Sequence, residues 1–440
     1  MQDGPFKIES LAYTGLGVAH DLNGKTLFVD GAIPGDTVKV AYTKEYERYN
    51  QARITEICDP SQHRIQPLCP HAGMCGGCSL QHMHYSQQVL WKRSFVVDAL
   101  RRIACIEEAE DLVSETLMTG LESGYRNKIE LVPSPGKKGM VLGYHARQSE
   151  EVIPVSSCLL LLDHLEDIPG QLSGALSYAL GDNSEKLKRV TIRASKRTGD
   201  CELSLWMEPS SCSRQFLAKV VKSVMHTSSL VRVLTKSEPA RRNVSKVEVI
   251  SGKGFWSELL AGFTFKVSAT SFFQVNTLAT ELLIDKVIES VGEEVDTVLD
   301  LYCGVGTFTL PLAKRNLKMT AIESEKSSIR DLRRNLAENG LAAEVVGGGV
   351  EYELSKLGKG FCIVVDPPRK GLSSVALKAL VDAKPQILVY VSCNPATLGR
   401  DLRFFLASGF VLESVTPIDL FPQTYHVESI ALLRRASTLS

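Results

Sequence analysis

Apolar residues recur in three rhythms along this chain, and the rhythms divide it. Over residues 1 to about 60 they alternate with polar ones in short runs such as TLFVDGAIPGDTVKVAYTKE, broken by Gly and Pro. A period of two with such breaks predicts a small antiparallel β-barrel. From about 120 to 270 strand-like and helix-like stretches mix, without repeats or low-complexity tracts, and RVTIRASKRTGDCELSLWME reads as a hairpin. From about 271 onward short apolar strands (DTVLDLYC, KMTAIES, FCIVVDPP, QILVYVSC) alternate with helical stretches such as EKSSIRDLRRNLAENG. That alternation predicts a doubly wound, mostly parallel sheet, in which ligands sit beyond the carboxyl ends of the strands.

Composition narrows the picture. The 440 residues exceed one ordinary core, so roughly two to four domains of about 100 to 200 residues are expected. With 44% apolar and 23% charged residues, and no apolar run near the roughly 20 residues of a spanning helix, no membrane is indicated. The start, MQDGPFKIESLAYTG, lacks the pattern of a secretory signal. A cytoplasmic, reducing location is therefore expected, with the eleven cysteines free of disulfides. Fifty basic and fifty acidic residues cancel, which excludes a globally cationic nucleic-acid binder but leaves local basic patches open.

Three strand ends carry chemistry. In VLDLYCGVGTF, Asp300 precedes Gly304 and Gly306 on a strand-to-helix turn, where glycine allows backbone to approach an adenosine-bearing ligand. A third glycine is missing, since position 309 is Thr, and the next strand ends at Glu323, where a ribose-binding acid belongs. Together these favour S-adenosylmethionine over NAD. In CIVVDPPRKGL two prolines follow Asp366 and hold its carboxylate in one direction; Arg369 stands where amino-group methyltransferases carry an aromatic. In VSCNPATLGRDL, Asn394 and Pro395 are a helix N-cap and first helical residue directly after Cys393. A helix start there favours thiolate, making Cys393 a candidate nucleophile. Cys303 and Cys362 read as buried fillers. A thiolate beside a methyl donor suits a pyrimidine whose carbon 5 is activated by sulfur addition at carbon 6. That scheme needs a base, and Glu428 or His426 in PQTYHVESIALL can supply it. Cys69, Cys75, Cys78 and the distant Cys158 make four thiols, enough for an iron-sulfur cluster or a tetrahedral zinc, or else left unligated. Cys58, Cys105, Cys201 and Cys212 show no comparable spacing.

The combination SFFQVN (271 to 276), DLYCGVGTF (300 to 308), DPPRKG (366 to 371), SCNPATLGRDL (392 to 402) and HVES (426 to 429) resembles the RNA uracil-5 methyltransferases. The resemblance implies a multidomain protein: a TRAM-like OB barrel over 1–60 that binds RNA, a central α/β domain over 61–86 and 121–270 with an iron-sulfur site, and a Rossmann-like methyltransferase domain over 87–120 and 271–440. It implies Cys393 as nucleophile and Glu428 rather than His426 as base. Gln274, Tyr302, Gly304, Gly306, Thr307, Glu323 and Asp366 fall where the family binds S-adenosylmethionine, Asp366 and Gln274 also reaching the uracil and Phe272 or Phe273 stacking on it. Thr307 departs from the more usual Asn, and VVGGGV (345 to 350) lacks the polar adenine contact. CGGCSLQHMHYSQQ implies a 4Fe-4S cluster on Cys69, Cys75, Cys78 and Cys158, as in the branch acting on 23S ribosomal RNA. Alternatives are a transfer RNA enzyme or a non-catalytic RNA-binding iron-sulfur protein. Tyr13, Tyr46, Arg48 and Tyr49 are candidates for an RNA face, Arg126 and Lys128 for phosphate contacts, and no obligatory protein partner is indicated.

Overall fold

Alternation in the first sixty residues produces a curved sheet in the computed structural model, which describes residues 2–21, 23–137, 139–147, 149–236, 244–315, 317–357 and 361–436. Among these, six strands lie in the order Gln2–Lys7, Thr37–Glu45, Tyr49–Asp59, Thr26–Asp30, Gly17–His20 and Ser10–Leu11. Their inward positions, Leu27, Val29, Val38 and Val40 among them, form a core of their own with Ile8 just past the first strand. The expected all-antiparallel pairing fails at one place: Thr26–Asp30 runs parallel to Tyr49–Asp59. Partner choice there depends on a crossover that local alternation does not encode.

The middle of the chain forms a seven-stranded sheet from Val244–Gly252 through Ser229–Thr235, Cys201–Met207, Leu187–Ala194, Lys128–Gly136 and Gly139–His145 to Val152–Pro154. The hairpin read from the sequence is present as the antiparallel pair Leu187–Ala194 and Cys201–Met207. Helices Ile168–Leu180 and Arg214–Lys222 cover the sheet, burying Leu172, Leu176, Leu217 and Val221 against Leu131, Ile192 and Leu203.

The C-terminal sheet has the order Glu344–Gly347, Lys318–Glu323, Thr297–Leu301, Cys362–Val365, Ile387–Ser392, Glu428–Arg435 and Phe410–Ile418. The first five strands are parallel, and the last two add antiparallel. Chain order reverses between Thr297–Leu301 and Cys362–Val365, which makes the crevice beyond their carboxyl ends the place for a ligand. Two earlier segments join this unit. Helix Tyr85–Ala99 packs Val96 and Val97 into the same core as Leu398, Leu402 and Phe405 of helix Pro395–Ala407, each fully buried large aliphatic or aromatic residue contributing about 1.5–3 kcal/mol. The helices approach so closely that a Cβ on Gly399 would stand 2.8 Å from the Ala99 carbonyl. Residues 113 to 117 then run beside Phe410–Ile418, bridging to Val415 and Ile418. The hairpin Trp256–Leu260 and Phe263–Val267 also belongs here, its Trp256, Leu260 and Phe265 sharing the core with Val298, Val364 and Val389. No helix among the described residues is long and apolar enough to cross a membrane.

Candidate active site

Thr297–Leu301 ends in a turn whose backbone leaves room for a ligand. Tyr302, Gly304 and Gly306 all have positive φ, at 59°, 56° and 99°. A Cβ on Gly306 would meet the ends of the Leu310 and Leu332 side chains at 2.5 and 2.6 Å, so a larger residue there would have to push both aside and hold a strained positive φ, whereas at Gly304 it would meet nothing within 4 Å. Gly304 N–H donates to Glu323 Oε2 at 2.9 Å, and the amides of Ser324 and Glu325 donate to Oε1 at 2.7 Å. Glu323 is thereby held as an oriented acceptor at the next strand end. Asp300 lies beneath the turn, accepting from the Thr309 hydroxyl at 2.5 Å, while its other oxygen has no hydrogen-bond partner among the described residues. Burial pushes its carboxyl up to about 7. Thr307 is half-buried in the same turn. In place of a polar residue at 345–350, Glu351 approaches Tyr302, whose phenol is pushed up to about 12 by burial and then by this carboxylate. Nothing in the sequence pattern pointed to Glu351.

The second half of the site is built by three neighbouring strand ends. Asp366 follows Cys362–Val365, Cys393 follows Ile387–Ser392, and Glu428 begins the antiparallel neighbour Glu428–Arg435, with Ser392 opposite Ser429. The register therefore sets Glu428 beside Cys393. The cysteine is partly exposed and Glu428 is buried. The turn after Cys393 is locked on both sides: Ser392 Oγ donates to Asn394 C=O at 3.1 Å and accepts from its N–H at 3.2 Å, and Asn394 Oδ1 caps the helix through Ala396 N at 3.0 Å.

The expected thiolate is not present in this state. Burial, then the Glu428 and Asp366 carboxyls, push the Cys393 thiol up to about 12, and Arg369 opposes them without prevailing. The helix start contributes little because Pro395 has no N–H and Asn394 Oδ1 takes the next amide. Asp366 is itself raised to about 7 by burial and the Asp300 charge, and Glu428 is raised by burial and Asp366. The two carboxyls face each other without a shared cation strong enough to ionise both. His426, between Phe421 and Tyr425 with ring centroids at 5.9 and 4.4 Å, is lowered to about 4 by burial and then by Arg369, and is neutral.

Other predicted residues separate. Gln274 is buried in the segment that leads to helix Thr277–Val291, and Asn276 Nδ2 ties that segment to Leu420 C=O at 3.1 Å, just before the Glu428 loop. Phe273 packs in the core on Trp256 and Phe265, leaving the 61% exposed Phe272 as the ring available for stacking. Tyr46 and Tyr49 stack at 4.5 Å on the barrel near the exposed Arg48. Tyr13 is elsewhere, against the Cys393 turn. Lys128 pairs with Glu130 at 2.8 Å and Arg126 faces the cysteine cavity, so neither stands as a free phosphate contact. Cys201, Cys303 and Cys362 are buried, Cys58 and Cys105 exposed and Cys212 between; all eleven cysteines are free.

Cys69, Cys75, Cys78 and Cys158 line one cavity with Arg126, Tyr144 and Gln81. Gly77 N–H points at the Cys75 sulfur at 3.4 Å and the Tyr144 hydroxyl at the Cys158 sulfur at 3.6 Å. Burial raises Cys75 and pushes Cys78 up to about 12, so ligation there would have to displace protons. The four thiols share this cavity with the cationic Arg126, but as they stand no three His, Cys, Asp or Glu side chains among the described residues form a group that could hold a metal ion.

Comparison with known proteins shows the family of this chain. A family profile described as tRNA (uracil-5-)-methyltransferase matches residues 256–346 and 353–436, and a TRAM domain profile matches residues 6–55. An uncharacterised RNA methyltransferase of Caldanaerobacter subterraneus subsp. tengcongensis is 32% identical, over 97% of this chain and 97% of its own. One from Gloeobacter violaceus is 34% identical, over 98% and 96%. The crystal structure of Pyrococcus abyssi tRNA (uracil-54, C5)-methyltransferase in complex with S-adenosyl-L-homocysteine superposes with a TM-score of 0.76 at 26% identity, covering 98% of this chain and 100% of that one.

Proposed function

The chain belongs to the RNA uracil-5 methyltransferase family, S-adenosylmethionine-dependent enzymes acting on RNA, and from that premise we propose that Cys393 is the nucleophile and Glu428 the base of methyl transfer to a uridine. The observation that carries this reading is the convergence of Cys393, Asp366 and Glu428 at adjacent strand ends beside the Gly304 turn. Tyr302, Gly304, Gly306, Thr307, Glu323 and Gln274 surround the methyl donor, Glu323 offering its fixed carboxylate to ribose hydroxyls. S-Adenosylmethionine supplies the methyl group and a sulfonium charge.

Cys393 gives its proton to the ionised form of Asp366 and its sulfur adds to carbon 6 of the uracil, moving the ring electrons so that carbon 5 takes the methyl and S-adenosylhomocysteine departs. Glu428 then removes the carbon 5 proton, the sulfur–carbon 6 bond breaks, and Asp366 returns a proton to the thiolate. A carboxyl raised towards neutral pH is matched to that work, and a positive charge docking beside it favours its ionised form. The exposed Phe272 stacks on the uracil once it has left its helix, at a cost of a few kcal/mol. The barrel at 1–60 grips RNA; residues 61–86 link it to a central domain of residues 121–255, and 87–120 with 256–436 form the catalytic one, whose start moves from the expected 271 to 256 because the Trp256–Val267 hairpin packs in its core. Cys69, Cys75, Cys78 and Cys158 hold a 4Fe-4S cluster, supported by their shared cavity with Arg126. With that cluster the reading is a 23S ribosomal RNA enzyme; likeness to a tRNA enzyme along the whole chain supports the second reading, a transfer RNA substrate.

Ribosomal and transfer RNA fractions carrying 5-fluorouridine, incubated with the protein and S-adenosylmethionine, distinguish these readings. The fluorine cannot leave as a proton, so the adduct should persist with one fraction and vanish in Cys393→Ala. No adduct on either fraction refutes the mechanism.

A further inference from the structure

The N-terminal barrel does more than flank the catalytic domain: one of its side chains reaches the reacting turn. Tyr13 lies in the turn between strands Ser10–Leu11 and Gly17–His20, closed by Gly15 N–H to Ala12 C=O at 2.8 Å and Ala12 N–H to Leu16 C=O at 2.9 Å. Gly15, at φ 77°, brings this turn down so that a Cβ there would sit 3.5 Å from both Ser79 and the Tyr425 ring. The Tyr13 ring packs edge-on against Phe95 at 5.7 Å and Tyr425 at 5.5 Å. Its hydroxyl, 380 residues away in sequence, donates to the Cys393 carbonyl at 3.2 Å. That carbonyl precedes the first helical residue, Pro395, and lies outside the helix ladder. The phenol is far from ionising, since burial and the neighbouring Cys393 raise it further above its ordinary value. It stays a donor throughout the working range of pH.

We propose that Tyr13 is a positioning residue of the active site: its hydroxyl, carried by the barrel, fixes the Cys393 carbonyl and with it the direction of the sulfur towards the pyrimidine. The inference rests on Cys393 being the nucleophile. Ser392 and Asn394 tie the residues on either side of Cys393 to each other, and Tyr13 adds a bond to the carbonyl of Cys393 itself. Sulfur attack then depends on a docked barrel, so the domain that holds RNA also completes the site that modifies it.

Full-length wild type, Tyr13→Phe and Tyr13→Ala, each with S-adenosylmethionine and RNA carrying 5-fluorouridine, test this under single turnover. Removing one neutral hydrogen bond should slow adduct formation about three- to tenfold in Tyr13→Phe, the effect of roughly 1 kcal/mol, with affinities for RNA and S-adenosylmethionine and the melting temperature unchanged. Tyr13→Ala should be slower still, because it also loses the ring packing. A wild-type adduct rate in Tyr13→Phe overturns the inference. So does a loss residing wholly in RNA affinity, which would make Tyr13 an RNA contact. If wild type itself forms no adduct, it is the nucleophile assignment that fails.

Discussion

Cys393 sits where its own sequence and its neighbours pull in opposite directions. Asn-Pro after a strand promised a helix start, and the helix is there, but its first free amide is spent on Asn394 and the thiol faces two carboxyls. Which strand ends meet at the candidate site was therefore legible, because Asp-Pro-Pro, Cys-Asn-Pro and Gly-x-Gly are local. Ionisation was not, because Glu428 reaches Cys393 only through the pairing of Ile387–Ser392 with Glu428–Arg435. The carboxyls make a pH prediction. Asp366, raised from 3.8 to about 7, keeps a proton in the folded protein that the unfolded chain has released. Its stabilising share is present below about pH 4 and is lost as pH rises through about 7. His426, lowered from 6.5 to about 4, acts with the opposite sign over the lower part of that window, so the wild-type curve mixes both. The difference between variants does not. The melting temperature of Asp366→Asn relative to wild type should rise from about pH 5 to about pH 8, and an offset independent of pH would contradict the assignment.

Elements show which parts of a fold a period can announce. The parallel strands and the Lys326–Glu338 helix follow their apolar pattern closely, and the Leu187–Ala194 hairpin is local. The parallel pair in the barrel is not, nor is the return of residues 85 to 117 to the C-terminal sheet, since both depend on partners far along the chain. A buried ion pair makes that return specific. Lys92, on helix Tyr85–Ala99, meets Asp419 at 2.5 Å with both side chains fully buried, and donates to Phe421 C=O at 3.0 Å. Asp419 also accepts from Tyr85 OH at 3.1 Å and Phe421 N–H at 3.0 Å. Burial pulls the Lys92 ammonium below its ordinary range while Asp419 works to keep it charged. Such a pair adds little net stability, but removing one partner strands a buried charge at a cost of about 3–5 kcal/mol. Lys92→Met should lower the unfolding free energy, read from denaturant midpoint and slope, by that much, and Lys92→Met with Asp419→Asn should recover part of it. If the double variant is as unstable as the summed singles, the pair is not coupled. The segment it anchors leads to Glu428, so Lys92→Met should also slow methyl transfer.

At the scale of the whole molecule, the three sheets are joined by a stretch that belongs to none of them. Residues 61 to 86 hold the barrel through Arg64, whose guanidinium spans Asp36 and the Gly31 carbonyl. They meet the central sheet through Gly76 N–H to His145 C=O at 2.9 Å, and the loop before Glu428 through Ser79 and Leu80 N–H to Gln423 C=O at 2.9 and 3.0 Å. Composition marked this stretch as a site; its role as the junction was hidden, because every one of those contacts is long-range. Three of the four cavity cysteines lie on it and the fourth, Cys158, lies beyond the strand Val152–Pro154. A cluster bridging them would therefore close a loop across the junction and stiffen it at the point where the barrel and the loop before Glu428 are both tethered. Protein purified without oxygen should contain iron and absorb in the visible, and Cys158→Ala should lose the iron. In that variant trypsin should cut within 61–86 well before it cuts the sheets, and the barrel that carries Tyr13 should loosen with it. Zinc without iron in the wild type would refute the cluster, and full iron in Cys158→Ala would remove that residue from the ligand set. If iron is lost and the tryptic pattern stays unchanged, the junction is held by its hydrogen bonds alone, and the alignment of Cys393 owes nothing to the metal.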